Sequence, residues 1–202
     1  MARQQVLLAV SKLPTSSSGT MCSREARRLL SQLTANQGFT CPEADWSPRG
    51  RGPPRHLGLA SNWFAGITHK QGLVIAGLSD APFGIDLERF NSRHTDRLEG
   101  LIDILPEPHV RDAIRQARSP QQAFYQAWTL HEALFKLAAQ TSQPASSAFN
   151  TRLESALQAS DQIRLWQNRE WTLAVTGCAS LLLETGPASM ISGMTEVNSV
   201  FY

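Results

Sequence analysis

The residues Phe83-Gly84-Ile85-Asp86-Leu87-Glu88 constrain the fold more than any other stretch, because apolar and acidic side chains alternate along them. In an extended strand successive side chains point to opposite faces, so Phe83, Ile85 and Leu87 share one face and Asp86 and Glu88 the other. Two carboxylates spaced roughly 7 Å along one face repel when both are ionised, and a cation or a basic partner between them relieves the repulsion. Magnesium suits such a place: it binds through one or two carboxylates, keeps several waters and is completed by substrate phosphates. The same pattern also describes a strand end whose acids are simply solvated.

The remaining sequence narrows the class. A length of 202 residues allows one domain or two small lobes around a real core, and 42% hydrophobic with 18% charged residues argues against disorder. Cys22, Cys41 and Cys178 are scattered and form no CxxC pair, which suggests neither a disulfide framework nor a zinc site. The apolar run Val6 to Val10, followed by Lys12, is too short for a signal peptide, and no stretch approaches ~18 apolar residues. A cytoplasmic protein with no membrane partner is therefore expected. Charge is unevenly spread: residues 1–60 hold eight Lys and Arg against three acids, a balance of +5, while the rest hold eleven against fourteen, or −3. A basic first third and acidic remainder suit an anion held between a basic wall and a metal. Nucleic acid would have to be gripped by Arg49, Arg51 and Arg55, but no basic cluster interleaved with aromatics accompanies them, so no nucleic-acid partner is expected.

In chain order, Gln5 to Val10 reads as a strand ended by Pro14 and the Ser16-Ser17-Ser18-Gly19 run. A helix follows, capped by Ser23 or Thr20, with Ala26, Leu29, Leu30 and Leu33 on its apolar side and Arg24, Arg27 and Arg28 mostly on its wet side. Asn36 to Ser61 is a Gly- and Pro-containing loop, a setting in which guanidinium groups can be brought to a phosphate. Trp63 to Thr68, Gly72 to Leu78 and Phe83 to Leu87 predict an antiparallel meander with the acidic strand last and His69 at its first turn. Helices are expected over Thr95 to Ile104, Glu107 to Arg118 and Gln121 to Gln140, the last introduced by Pro120. Trp128, Glu132 and Lys136 recur every fourth residue along that helix and so lie on one line. Ile163 to Trp166 and Trp171 to Val175 form a hairpin, Ser180 to Leu183 a further strand, and Thr185 to Tyr202 a loosely attached tail. The expected class is α+β, with an N-terminal lobe over residues 1–90 and a C-terminal lobe over 91–202.

Three blocks taken together resemble the surfactin-synthetase-activating type of 4′-phosphopantetheinyl transferase. Ile67-Thr68-His69 is similar to that family's Ile-Ser-His turn, and Phe83 to Glu88 to its Gly-Ile-Asp-x-Glu strand. Trp128-Thr129-Leu130-His131-Glu132-Ala133-Leu134-Phe135-Lys136 resembles its Trp-x-x-Lys-Glu-Ala-x-x-Lys helix. The blocks keep the family's order and spacing, and the clear match runs from about Gly52 to Leu137. The resemblance implies two pseudo-symmetric α+β lobes with the site at their interface, and a monomeric enzyme. It implies magnesium-dependent transfer of the phosphopantetheine arm of coenzyme A to a serine of an acyl or peptidyl carrier protein, in fatty acid biosynthesis or secondary metabolism. Adenosine 3′,5′-bisphosphate is released. It further implies metal ligation by Asp86, Glu88 and Glu132, with Lys136, His69 and Thr68 against coenzyme A and Glu132 the best candidate base, directly or through a water.

The sequence departs from the family pattern in three places. His131 stands where a lysine is expected, so that charge becomes conditional on pH. Gly52-Pro53-Pro54 lacks the basic residue of the family's Gly-Lys-Pro motif, for which Arg51 or Arg55 would compensate. The short first lobe has no lysine-rich segment for the 3′-phosphate, leaving Arg24 and Arg28 as candidates. These losses support a different expectation, a degenerate homologue that binds coenzyme A or carrier protein without catalysis.

Overall fold

A computed structural model describes residues 5–141, 147–153, 162–177, 180–185 and 193–197. The first strand, β1 (Gln5–Lys12), is followed by α1 (Gly19–Asn36), whose N-cap is Ser18, its hydroxyl accepting from the Met21 amide at 3.2 Å. The expected caps Ser23 and Thr20 instead lie inside the helix. Next come β2 (Phe64–Lys70), β3 (Leu73–Ser79) and β4 (Gly84–Arg89), then the helices α2 (Leu98–Asp103), α3 (Pro108–Gln116) and α4 (Pro120–Ala138). Strands β5 (Ile163–Gln167), β6 (Trp171–Thr176), β7 (Ser180–Thr185) and β8 (Thr195–Glu196) follow. No helix among the described residues is long and apolar enough to cross a membrane.

Two four-stranded sheets result, in the orders β2-β3-β1-β7 and β4-β6-β5-β8. Strand alternation explains how they stack. Leu7 and Ala9 of β1, with Val74, Ala76 and Leu78 of β3, pack against Ala26, Leu29, Leu30 and Leu33 of α1. Val6, Leu8 and Val10 face the other way and meet Phe83, Ile85, Leu87, Leu173 and Val175 of the second sheet's layer. The far side of that sheet, through Leu165 and Ala174, is covered by Ala127, Leu130 and Ala133 of α4. The molecule is thus α+β, with the layers α1, first sheet, second sheet and α4.

The expected three-strand meander is not formed. β2 and β3 pair as an antiparallel hairpin, but β1 takes the other edge of β3, from Leu7 opposite Leu78 to Lys12 opposite Leu73, leaving no free edge for the acidic strand. β4 therefore crosses to the second sheet and pairs with β6, Asp86 opposite Ala174 and Glu88 opposite Thr172. β7 makes the reverse crossing and runs parallel to β1, Leu7 opposite Leu182. The sheets therefore do not follow the expected division at residue 90. Part of the expected loose tail is docked as well, because Met194 is buried between the sheets and Thr195 and Glu196 pair with β5; residues 186–192 and 198–202 lie outside the described residues.

Close approach of α4 to β4 depends on Gly84, where a Cβ would stand 1.8 Å from the Ala133 carbonyl oxygen. The adjacent Phe83 ring, fully buried, fills the space over Gly66 and Gly77. Gly84→Ala should therefore lower stability by at least about 3 kcal/mol, at the upper end of overpacking costs, as read by chemical denaturation.

Candidate active site

Packing Ile85 and Leu87 between the sheets turns Asp86 and Glu88 of β4 toward α4. Asp86 is 6% exposed. Its Oδ1 accepts from the Thr68 hydroxyl at 3.2 Å and from Lys136 Nζ at 2.6 Å. The Thr68 hydroxyl in turn accepts from the Leu87 amide at 3.1 Å. Thr68, expected to contact coenzyme A, thus has its hydroxyl committed to the carboxylate and the β4 backbone. Asp86 Oδ2 is buried and has no hydrogen-bond partner among the described residues.

Glu88 is paired with Lys70 of β2, Nζ to Oε2 2.7 Å. Glu132 follows Trp128 by one helical turn and precedes Lys136 by another. Burial, then the negative charge of Asp86, raises its carboxyl pKa above the usual value; Lys136 opposes this and Glu88 adds to it. Burial likewise raises the Glu88 pKa, with Lys70 opposing and Asp86 reinforcing. The three predicted acids are therefore electrostatic neighbours, interleaved with two lysines. Among the described residues, no three His, Cys, Asp or Glu side chains are drawn together tightly enough to enclose a metal ion. The oxygen donors nonetheless fit a hard divalent cation, since a buried Asp86 oxygen lacks a donor beside two carboxyls that resist ionisation.

A basic side faces these acids. His69 of β2 has its pKa lowered by burial and then by the cations Arg49 and Lys136, so it is neutral at pH 7. Arg49 also lies against the start of α1, where a Cβ on Gly19 would fall 2.8 Å from its Nη1. The loop carrying Arg49 is fastened by Arg27, whose Nε and Nη2 donate to the Ser47 carbonyl at 3.1 and 2.7 Å. It is closed by the Ser47 amide on the Arg55 carbonyl, 2.9 Å, and the Arg55 amide on the Ser47 hydroxyl, 3.0 Å. Arg27 is thus a brace and not a solvated helix residue. Arg28 is held by Glu25 on its own helix, 2.7 Å, and Arg24 by Glu43, 3.1 Å. Arg51 is exposed, while Arg55 lines a cavity of about 330 Å³ with Pro53, Pro54, His56, Trp63 and Gln140. A more apolar cavity of about 250 Å³ shares Pro53, Pro54 and Gln140 and reaches Lys136 past Ile67 and Phe135.

Residues 82–176 match the model of the 4′-phosphopantetheinyl transferase superfamily. That segment carries Asp86, Glu88, Glu132 and Lys136, and phosphopantetheine transfer is the activity of such a domain. His69, Lys70 and the Arg49 loop lie before the matched segment. No curated protein matches the chain.

Sequence reasoning weighed Arg49 only for nucleic acid and missed Lys70 and Gln140, the latter donating to the Ala65 carbonyl, 2.9 Å, and accepting from the Phe83 amide, 3.0 Å. Lys70 had a signal: it follows Thr68 by two, the same interval that separates Asp86 from Glu88. His131 is a correction. It is 2% exposed and turned into the α4 core, Nδ1 3.2 Å from the Thr151 hydroxyl and Nε2 3.5 Å from Glu107 Oε2. Burial pushes its pKa down to about 4 against the pull of Glu107, so it brings no conditional charge to the site.

These shifts have opposite consequences for stability. His131 is held neutral in the fold, so acid destabilises as pH falls from the unfolded value toward about 4, on the order of 3 kcal/mol in all; His131→Gln should flatten that limb in denaturation curves measured from pH 7 to 4. Glu132 has a raised pKa, so its ionisation destabilises as pH rises through that value. Without added metal, Glu132→Gln should raise the melting temperature at pH 7.5 and lose that advantage near pH 4.

Proposed function

We propose that this protein transfers the 4′-phosphopantetheine arm of coenzyme A to a serine of an acyl or peptidyl carrier protein, with magnesium, releasing adenosine 3′,5′-bisphosphate. The observation that carries this reading is the meeting of Asp86, Glu88, Glu132 and Lys136 in one polar cluster inside the segment that matches the superfamily.

In this reading Asp86, Glu88 and Glu132 present a carboxylate face to a magnesium ion, which when bound supplies neutralising charge to the diphosphate of coenzyme A. The protein's own groups do the rest. Lys136 and Arg49 place positive charge against phosphate oxygens, and neutral His69 offers a hydrogen bond beside them. Arg51 and Arg55 stand at the exposed end of the same loop for the more distant phosphate, with Arg28 further along α1. The cavities bordered by Pro53, Pro54 and Gln140 give the coenzyme a partly apolar bed. Glu132, whose carboxyl is held by burial above the usual carboxylate range, takes the proton of the attacking serine hydroxyl. The serine oxygen bonds to the phosphorus carrying the pantetheine arm as the bond to the bisphosphate oxygen breaks, with charge spreading onto oxygens already faced by cations.

The alternative of a non-catalytic binder drew its support from His131 and from the missing lysines; the burial of His131 in the α4 core removes the first of these supports and leaves the second.

Incubation with coenzyme A, magnesium and an apo carrier protein should add ~340 Da to the carrier, the mass of the transferred arm. Glu132→Gln should abolish the addition while the protein keeps its fold, both read by mass spectrometry beside a thermal melt. An unmodified carrier with wild-type protein, across both acyl and peptidyl carriers, rejects the reading. Persistence of the addition in Glu132→Gln rejects its role as base.

A further inference from the structure

The two cavities beside the acids have a lining in common, and Gln140 is the side chain that secures it. Gln140 follows Lys136 by four residues, just past the end of α4. It lines both the cavity of about 330 Å³ at Arg55 and Trp63 and the one of about 250 Å³ that reaches Lys136. Pro53 and Pro54 are also common to both, so Gln140 is the one polar side chain that the two cavities share among the described residues. Its amide is held at both ends: Oε1 accepts from the Phe83 amide at 3.0 Å and Nε2 donates to the Ala65 carbonyl at 2.9 Å. A peptide N–H only donates and a carbonyl only accepts, so these partners fix the orientation of the side-chain amide. They also belong to different layers. Ala65 is part of β2 in the first sheet, and Phe83 directly precedes β4 of the second. Helix ends fray unless tied down, and Lys136 stands in the last turn of α4, so the same side chain joins that turn to both strands.

We propose that Gln140 is a positioning residue for coenzyme A. It holds the shared lining of the two cavities in place before the coenzyme arrives, and with it the turn that sets Lys136 Nζ 2.6 Å from Asp86 Oδ1. A bed formed in advance leaves less to be ordered on binding, so the contribution is realised as coenzyme affinity. The acceptor protein does not occupy these cavities and gains nothing from it. The inference rests on the reading of the cavities as the bed of the coenzyme.

Calorimetric titration of the full chain with coenzyme A, with and without magnesium, compares the wild type with Gln140→Met, which keeps the length of the side chain and removes both bonds. Gln140→Asn, too short to span both partners, replaces it if that variant does not fold. Coenzyme affinity should fall by at least about fivefold. In the transfer assay the KM for coenzyme A should rise by a similar factor, and the KM for the apo carrier should stay within about twofold of wild type. A folded variant that melts lower yet loses less than about fivefold in coenzyme affinity shows a structural role alone and overturns the inference. So does a KM that rises equally for coenzyme and carrier; both outcomes leave the transferase reading intact. Failure of the wild-type protein to bind coenzyme A under either condition overturns both.

Discussion

An ionised carboxylate removed from water is costly unless paired, and Asp86 lies almost fully buried where two sheets and a helix converge. Its Oδ1 gathers a hydroxyl from β2 and an ammonium from α4, while the same hydroxyl holds the β4 backbone. Strands β2 and β4 belong to different sheets and share no ladder, so this side-chain relay substitutes for backbone pairing along their seam. The contact that seats the carboxylate also aligns the layers, and it leaves the second carboxylate oxygen without a donor among the described residues.

Around that point the charges are sorted. Acids occupy the seam and the inner line of α4, while Arg49, His69 and Lys136 stand close enough that the two cations depress the histidine's pKa. Arg27 contributes without entering the site, since its guanidinium fixes the Ser47 carbonyl and with it the loop that presents Arg49. A ligand suited to the arrangement must carry phosphate oxygens toward the basic side and accept a hard cation on the other, as a nucleoside diphosphate derivative does.

Much of this was legible in the sequence wherever the information is local. The period of two through Phe83 to Glu88 identified the strand and its acidic face, the four-residue spacing placed Trp128, Glu132 and Lys136 on one line, and Pro120 marked the start of α4. What escaped depends on competition between distant segments. That β4 abandons β3 follows from β1 having claimed the edge, which no property of β4 itself reveals. The burial of His131 follows from the arrival of Thr151 and Glu107, and the bracing role of Arg27 from a carbonyl twenty residues away. Thr68 entered the reading through the resemblance of Ile67-Thr68-His69 to a family turn, and that its hydroxyl also serves the seam between the sheets depends on β4 arriving beside it.

The exchange of β4 and β7 between the sheets also bears on the order in which the fold can be completed. β1 precedes every other described strand in the chain, yet one of its edges is covered only by β7, and β4 waits for β6 before it has any ladder partner. The first sheet cannot be completed on a nascent chain that stops short of residue 180, nor can β4 find its partner on one that stops short of residue 171. Carboxylates and lysines that meet across those sheets are thereby held in place only once β6 and β7 have been added, so a chain lacking them has no assembled centre.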